Sequence, residues 1–546
     1  MLRPMAHPQV EARLERLTPD QRSAATAPPG PVLCVAPAGS GKTTTLVARI
    51  AWLIDAGADP ATVAAITFNK RAAQELGERL DAALVPLDVE PGSVRVRTFH
   101  ALGREILRDA GVDVRNLVDR GSLLASLLPG LSPAAQGRYD TAFSRLKLDL
   151  RIDPQAIAAD PEAGPIARAF VAYEARLAER GALDFDDLVR RALDALDGDA
   201  SLLDRWRERC GHLLVDEVQD VDRSQLDLAL RLAAPGNRIF LVGDDDQSIY
   251  GWRLADVRRV LALDAALPGL RRVDLEVNHR CPEPVVERAV RLIEHNDERF
   301  AKVIRSRPSA PGRVTLAPDG GDEPARTRRL IEHAFVPEEA GTWAILARTN
   351  RELRPAVVVA LGLGLPFRAA SVELLLDDVA LDGLLARVAA TPAGWPLLVR
   401  VGAVRRTVGA EQHELATALL AWAATAADLP ALEGAIAAAR ARLADLRRDD
   451  ARLTLATAHS TKGAEFDHVV VVGLDEGRFP SGRAVGEAED PIRAMEEERR
   501  LGYVAWTRAR RSLVLSYDPA APSPFLSEAF SADELGLNDA ADRAPG

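Results

Sequence analysis

Apolar positions along the chain follow two alternating rhythms. Short strand-like runs rich in apolar residues stand at residues 32–35, 63–68, 94–98, 212–215 and 239–243. Between the early ones, apolar residues recur at helical spacing. Leu46, Val47, Ile50, Leu53 and Ile54 share one face of a helix that Gly57 is placed to stop, and Ala72, Leu76 and Leu80 line another. Buried strand followed by amphipathic helix, repeated, predicts an α/β fold: a parallel sheet flanked by helices, with the site in the loops at the strand C-termini. From residue 101 to about 209 the strand signals vanish, and helical segments rich in Ala, Leu, Arg and Asp predict an all-helical insertion. A second Ala/Leu-rich helical stretch runs from 371 to about 450. Residues 1–17 read as a polar helical lead-in. Thr18 then suits an N-cap with Pro19 at the first helical position, and Gln21 reads as one position too deep for a capping box. From Asp518 onward the Pro/Ala/Asp-rich sequence reads as a loose tail.

Length and charge refine this picture. A chain of 546 residues exceeds one core, and about three or four domains are expected. The net charge of −11 disfavours a uniformly basic nucleic-acid binder, although a groove needs only a local basic lining. Cys34, Cys210 and Cys281 lie far apart with no metal-ligand spacing and read as buried thiols. The start has no charged-then-apolar signal pattern and no apolar run approaches about 20 residues, so a soluble cytoplasmic protein without membrane contact is expected.

Candidate chemistry starts at residues 32–45, VLCVAPAGSGKTTT. Apolar strand, small-residue loop and helix N-terminus form a phosphate cradle, where backbone N–H groups without intrahelical partners meet the positive end of the helix dipole. Ala38, Gly39, Ser40, Gly41, Lys42, Thr43 and Thr44 line it, with Lys42 as a cation for the β/γ-phosphates and the Thr43 hydroxyl as a Mg²⁺ ligand. Ala36 stands at the first glycine position of the motif, which a negative φ permits. The expected ligand is therefore ATP or another nucleoside triphosphate with Mg²⁺.

Upstream, the Gln21 amide can donate to and accept from an adenine edge; a solvent-facing helix glutamine is the plainer alternative. At 212–222, HLLVDEVQDVD delivers Asp216, a candidate metal ligand through water, and Glu217, a candidate general base for the attacking water. At 239–253, IFLVGDDDQSIYGWR carries Gln247 within reach of a γ-phosphate and then Tyr250, Trp252 and Arg253, flat or cationic groups suited to stacking on bases. Phe68, Phe99 and His100 fall at strand ends, where base stacking and plain core packing are equally open for the two phenylalanines. Asp184, Asp186 and Asp187 read as helix capping rather than a metal site.

These strings, in order, resemble the motifs of superfamily 1A DNA helicases of the UvrD/Rep/PcrA type: the Gln21 segment, APAGSGKTTT, TFNKRAAQEL, RTFHALGREIL, LLVDEVQD and VGDDDQSIYGWR. The likeness continues through LEVNHRCPEPV, LIEHNDERFAK, AILARTNREL, the stretch from LTLATAHSTKGAEFDH to Pro480, EEERRLGYVAWTRARRSLVLSY and PSPFLSEAF, and so spans nearly the whole chain. The resemblance implies two RecA-like P-loop NTPase domains. Domain 1A would comprise 1–100 and 206–275 with a helical 1B insertion at 101–205. Domain 2A would comprise 276–370 and 451–520 with a reduced 2B insertion at 371–450, and 521–546 would be the tail. It implies that Arg280 and Arg508 reach the triphosphate from the second domain, that Glu465 accepts from the ribose, and that His279 occupies the place where the family stacks a tyrosine on adenine. A single-strand track of Phe68, His100, Tyr250, Trp252, Arg253, Arg348 and Asn350 also follows by resemblance. So do 3′→5′ translocation and a role in DNA repair or replication, acting on single-stranded and tailed duplex DNA, with a protein partner open.

The chain departs from the pattern at His279, at Arg71 (a lysine in the family), and most of all in the short 2B region. From the short loose tail, no nuclease domain is expected. Beside an unwinding helicase, three readings stay open: a protein-displacing single-strand translocase, a non-motor ATP-switched binding module, and an RNA motor.

Overall fold

A computed structural model describes residues 7–160, 162–334, 341–370, 372, 374–409 and 412–535; the ends of the predicted lead-in and tail, 1–6 and 536–546, lie outside these. Two compact units emerge: Met1–Arg280 with Asn296–Pro308, and Cys281–His295 with Ser309–Gly546.

The first unit is built on a six-stranded parallel sheet. In chain order its strands are β1 (Val32–Val35), β2 (Val63–Thr67), β3 (Arg95–Thr98), β4 (His212–Val215), β5 (Ile239–Gly243) and β6 (Arg271–Asp274), and in space they run β3-β2-β4-β5-β1-β6. β1, β2 and β5 are buried along their whole length, as a parallel sheet covered on both faces requires. The helices Lys42–Asp55 and Lys70–Leu84 cover one face through Leu46, Val47, Ile50, Leu76 and Leu80. The other face carries Phe99–Asp109, Asp187–Gly198, Ala200–Arg209 and Arg223–Ala233. A short parallel pair, β7 (Val277–Asn278) and β8 (Arg305–Ser306), joins this unit.

Three sequence expectations change here. The helices at the two ends of the predicted 101–205 insertion pack on the sheet, and among the described residues a separate core forms around Leu123, Leu124, Phe143, Phe170, Tyr173, Leu177 and Ala182. Inside that core lies a buried ion cluster. Lys147 Nζ stands 2.7 Å from Glu174, 2.9 Å from Asp184 and 3.0 Å from Asp187, while Arg120 pairs with Asp184 and Asp186. Asp184 and Asp187 also cap each other's backbone N–H groups, so the capping reading holds for these two but omits their main charge partners. Thirdly, Thr18 and Gln21 do form a capping box, since Gln21 sits at the third helical position.

The second unit holds another six-stranded parallel sheet, in spatial order β11-β12-β10-β13-β14-β9. Its strands are β9 (Arg313–Pro318), β10 (Trp343–Ala347), β11 (Phe367–Arg368), β12 (Leu453–Thr457), β13 (Phe466–Val471) and β14 (Ala509–Tyr517). Between β11 and β12, the helices Ala380–Ala389, Leu397–Arg405, His413–Ala423 and Leu429–Leu446 enclose a small core of their own. The tail read as loose from Asp518 is instead folded up to the helix Pro524–Ala529, whose Phe525, Leu526 and Ala529 are buried. Gly502 permits this packing, because a Cβ there would lie 3.1 Å from Leu292 and 3.3 Å from Phe525.

Asp222 caps the helix Arg223–Ala233 through the Gln225 N–H at 2.9 Å, and its burial pushes the carboxyl pKa from 3.8 up to about 7. Between about pH 4 and 7 the folded chain therefore holds a proton that the unfolded chain has lost. Stability then falls as pH rises, by at most about 1.4 kcal/mol per pH unit. Asp222→Asn keeps the cap and should flatten this slope, read as urea midpoints at pH 5 and pH 8; parallel slopes for the two proteins would refute it.

Candidate nucleotide and DNA site

The C-terminal ends of β1, β4 and β5 bring the nucleotide candidates of the first unit together. After β1 the loop turns through Gly39 (φ 69°) and Gly41 (φ 85°), left-handed positions that favour glycine, whereas Ala36 is not among the residues with positive φ. Space enforces the same choice. A Cβ on Gly39 would fall 2.6 Å from Asn278 Oδ1 and 2.7 Å from Arg280 Cβ, and one on Gly41 would fall 2.6 Å from Gln21 Nε2. Gly41 caps the helix that begins at Lys42, which leaves the first-turn N–H groups of Lys42, Thr43 and Thr44 facing the loop. Ser40 Oγ is buried with no hydrogen-bond partner among the described residues, an orphaned donor inside a phosphate-shaped cradle.

Gln21 and His279 flank this loop. Gln21 Nε2 donates to the Ser40 carbonyl at 2.7 Å, and its Oε1 accepts from Thr18 N at 3.1 Å, so each end of the amide retains capacity for one more bond. His279 is exposed, and its N–H donates to the Gly39 carbonyl at 2.9 Å. Arg280 N donates to Asn278 Oδ1 at 2.8 Å. The expectation that Arg280 belongs to the second domain is not met: residues 276–280 group with the first unit, because the β7 segment is fastened to the phosphate loop. Arg508 is in the second unit, where its guanidinium donates to the carbonyls of Val504 (2.8 Å) and Ala464 (3.2 Å) and to Thr507 Oγ1 (3.2 Å). Glu465, also there, is ion-paired with Arg510.

β4 delivers Asp216 and Glu217. Lys42 Nζ lies 3.6 Å from Glu217 Oε2, so the phosphate-loop lysine and the candidate base meet. Burial, reinforced by the neighbouring Glu217, pushes the Asp216 pKa up to about 7 despite the opposing Lys42. Glu217 itself has φ 53°, a strained left-handed conformation for a non-glycine residue. A relay leads onward from it. Gln219 Nε2 donates to Glu217 Oε2 at 2.5 Å, Gln219 Oε1 accepts from Asp244 N at 3.0 Å, and the buried Gln247 donates through Nε2 to Asp244 Oδ2 at 2.6 Å. Sequence reasoning passed over Gln219, although its place two residues past Glu217 was the available signal.

The residues present fit a magnesium nucleotide. Asp216 is a buried carboxylate whose charge a cation would stabilise, the Thr43 hydroxyl stands at the helix start, and the Ser40 hydroxyl awaits an acceptor.

A few residues beyond β5 lies an aromatic surface. Phe68 and Tyr250 stack with centroids 5.1 Å apart and planes 11° apart, and Trp252 meets Tyr250 edge-on at 6.2 Å. Arg253 lies 4.6 Å above the Trp252 ring. Trp252 is 54% exposed, which excludes a core tryptophan, whereas Phe99 is 3% exposed and belongs to the core. His100 lies 4.2 Å from the ring of Phe185 with the planes tilted by 33°, and Phe185 is an exposed aromatic that the capping interpretation of its acidic neighbours hid. Burial pushes the His100 pKa down to about 4, so the ring is neutral at pH 7 and offers a flat face rather than a charge. In the second unit, Asn350 is exposed at the start of the helix Asn350–Leu363, while Arg348 is held by both carboxylate oxygens of Glu498 at 2.6–3.0 Å. Among the described residues no helix is long and apolar enough to cross a membrane.

Comparison with known proteins gives the family of the chain. The family model for the UvrD/REP helicase N-terminal domain matches residues 17–268, and that for the UvrD-like helicase C-terminal domain matches 432–519, together more than half of the chain. The chain is 27% identical to DNA helicase II of Escherichia coli over an alignment 631 positions long, covering 92% of this chain and 84% of that protein. It is likewise 27% identical to the ATP-dependent DNA helicase PcrA of Staphylococcus epidermidis and to that of Staphylococcus aureus, over 93% of this chain and 84% of each relative. With phosphate loop, acidic strand end and aromatic surface arranged on a parallel sheet, and with both family models matched, the chain belongs to the UvrD/REP helicase family.

Proposed function

We propose that the protein is an ATP-dependent DNA helicase that couples hydrolysis to 3′→5′ movement along single-stranded DNA in repair or replication. The observation that carries this reading is the relay Glu217–Gln219–Asp244–Gln247, which runs from the hydrolytic end of the site to the turn bearing Tyr250 and Trp252. Glu217 would orient and deprotonate the attacking water, and Lys42 would hold the β/γ-phosphates. Arg280, fastened beside the phosphate loop, would contact phosphate within the first unit, which leaves Arg508 as the cation whose arrival depends on closure. Gln21 and the exposed His279 would contact the base, and Glu465 the ribose after exchanging its Arg510 partner. Thr43 and Asp216 would hold Mg²⁺, which when bound neutralises charge developing on the phosphates. Phe68, His100, Tyr250, Trp252, Arg253 and Asn350 would carry the strand, with Arg348 joining if it exchanges its Glu498 partner.

Trp252→Ala should weaken single-stranded DNA binding by about 1–3 kcal/mol, the value of one stacked base, and leave nucleotide binding unchanged. Fluorescence anisotropy with an oligothymidine measures the first and a labelled nucleotide the second. Equal DNA affinity in both proteins would remove Trp252 from the track.

A second reading, a translocase that displaces proteins without unwinding duplex alone, is favoured by one observation. The alignments to relatives run to 619–631 residues against 546 in this chain, so the relatives carry segments that it lacks. Strand displacement on 3′- and 5′-tailed duplexes beside streptavidin displacement from a biotinylated strand separates the two readings and gives the polarity.

A further inference from the structure

The turn after β5 carries three consecutive carboxylates, Asp244, Asp245 and Asp246, and all three are buried. Such a run is untenable in a protein interior unless cations are brought to it. Two are. Lys302 Nζ lies 2.5 Å from Asp245, 2.8 Å from Asp246 and 3.5 Å from Asp244, and Arg299 grips Asp246 with two bonds of 2.9 Å. The Phe300 N–H adds a bond of 2.8 Å to Asp245 Oδ2. Two cations face three carboxylates: burial, reinforced by the neighbouring Asp246, pushes the Asp245 pKa up to about 6, while Lys302 and Arg299 hold that of Asp246 down against its own burial.

The origin of these cations gives the cluster its significance. Residues Asn296–Pro308 belong to the first unit, yet the chain on either side, Cys281–His295 and Ser309 onward, belongs to the second. The thirteen-residue return segment is therefore tied covalently at both ends to the second unit and ionically to the turn that holds Gln247. A charge-assisted bidentate pair plus a shared ammonium resists displacement far better than apolar contact would, because each bond lost strands a buried charge.

We propose that Arg299 and Lys302 are positioning residues that couple DNA occupancy at the Tyr250–Trp252 surface to ATP turnover, by tying the 244–247 turn to the chain that enters the second unit. The proposal rests on the functional reading above. Neither residue touches nucleotide or DNA in that reading, and their sequence context, LIEHNDERFAK, is one of the family-like strings with no role assigned there.

The test is steady-state ATP hydrolysis with and without oligothymidine for wild type, Lys302→Met, Arg299→Gln, Lys302→Arg and the double variant Lys302→Met/Asp245→Asn, each with a thermal melt. The double variant removes one charge of each sign, and its asparagine can still accept from Phe300. Expected for the single variants is a fall of about tenfold in the DNA-stimulation ratio. The DNA-free rate and the KM for ATP should stay within about twofold. Lys302→Arg should restore most of the stimulation, and the double variant should recover melting temperature without recovering stimulation. Stimulation that survives in folded Lys302→Met and Arg299→Gln, or that returns with stability in the double variant, overturns the proposal alone. A wild-type rate indifferent to DNA overturns the functional reading with it.

Discussion

Glu217→Gln is expected to lower DNA-stimulated ATP hydrolysis by about 10²–10⁴-fold, the contribution of a positioned general base, while nucleotide still binds. The amide is isosteric and can still accept from Gln219, so the relay to Asp244 persists while basicity is lost. Lys42→Ala should be as inactive for a different reason: it removes the cation proposed to hold the phosphates and takes away an ammonium 3.6 Å from Glu217. Its nucleotide affinity should fall as well. Phosphate release at saturating ATP and oligothymidine, paired with a binding titration, separates the two effects. Near-wild-type turnover in Glu217→Gln would transfer the base role elsewhere.

Lys147→Met should destabilise the first unit by about 3–5 kcal/mol, as removal of one member of a buried ion cluster does. Lys147 has no exposed side-chain surface and is the shared partner of Glu174, Asp184 and Asp187. Methionine fills the volume but leaves Arg191 as the cation beside Asp187 and Arg120 as the cation beside Asp184. Damage should concentrate in the small core around Phe143, Phe170 and Tyr173, which has no member in common with the core on the sheet. Urea unfolding followed by circular dichroism gives the magnitude, and limited proteolysis should cut first between residues 120 and 182. An unchanged midpoint would show that the cluster contributes nothing net.

The two sites were unequally legible. The phosphate loop and Asp216-Glu217 are local strings, and each element there — strand, turn, helix start — is fixed by neighbours in sequence, so residue types alone place them. Lys147 is invisible in sequence, since Asp184 and Asp187 lie some forty positions away and nothing local marks the lysine as buried. Phe185 was hidden because its aspartate neighbours have a sufficient local explanation in capping. The helices at the borders of the insertion were misassigned because composition marks a helix as amphipathic without naming the surface it covers. Composition also misled at the tail: Pro- and Ala-rich sequence suggested looseness, yet Ser523 caps a short helix that buries Phe525 and Leu526. For Arg280 the family resemblance gave the residue but not its attachment, which depends on a backbone bond from His279 to Gly39 that no motif encodes.

The two returns of the chain across the unit boundary also bear on how the protein can be dissected. A recombinant nucleotide-binding half ending at Arg280 would contain every residue of the phosphate loop and of β1 to β7, yet it would lack the cations for Asp244, Asp245 and Asp246. Such a fragment should be insoluble or acid-requiring when expressed alone. A synthetic peptide of residues 296–308 added in trans, or a short linker splicing that segment after Arg280, should be what makes it tractable.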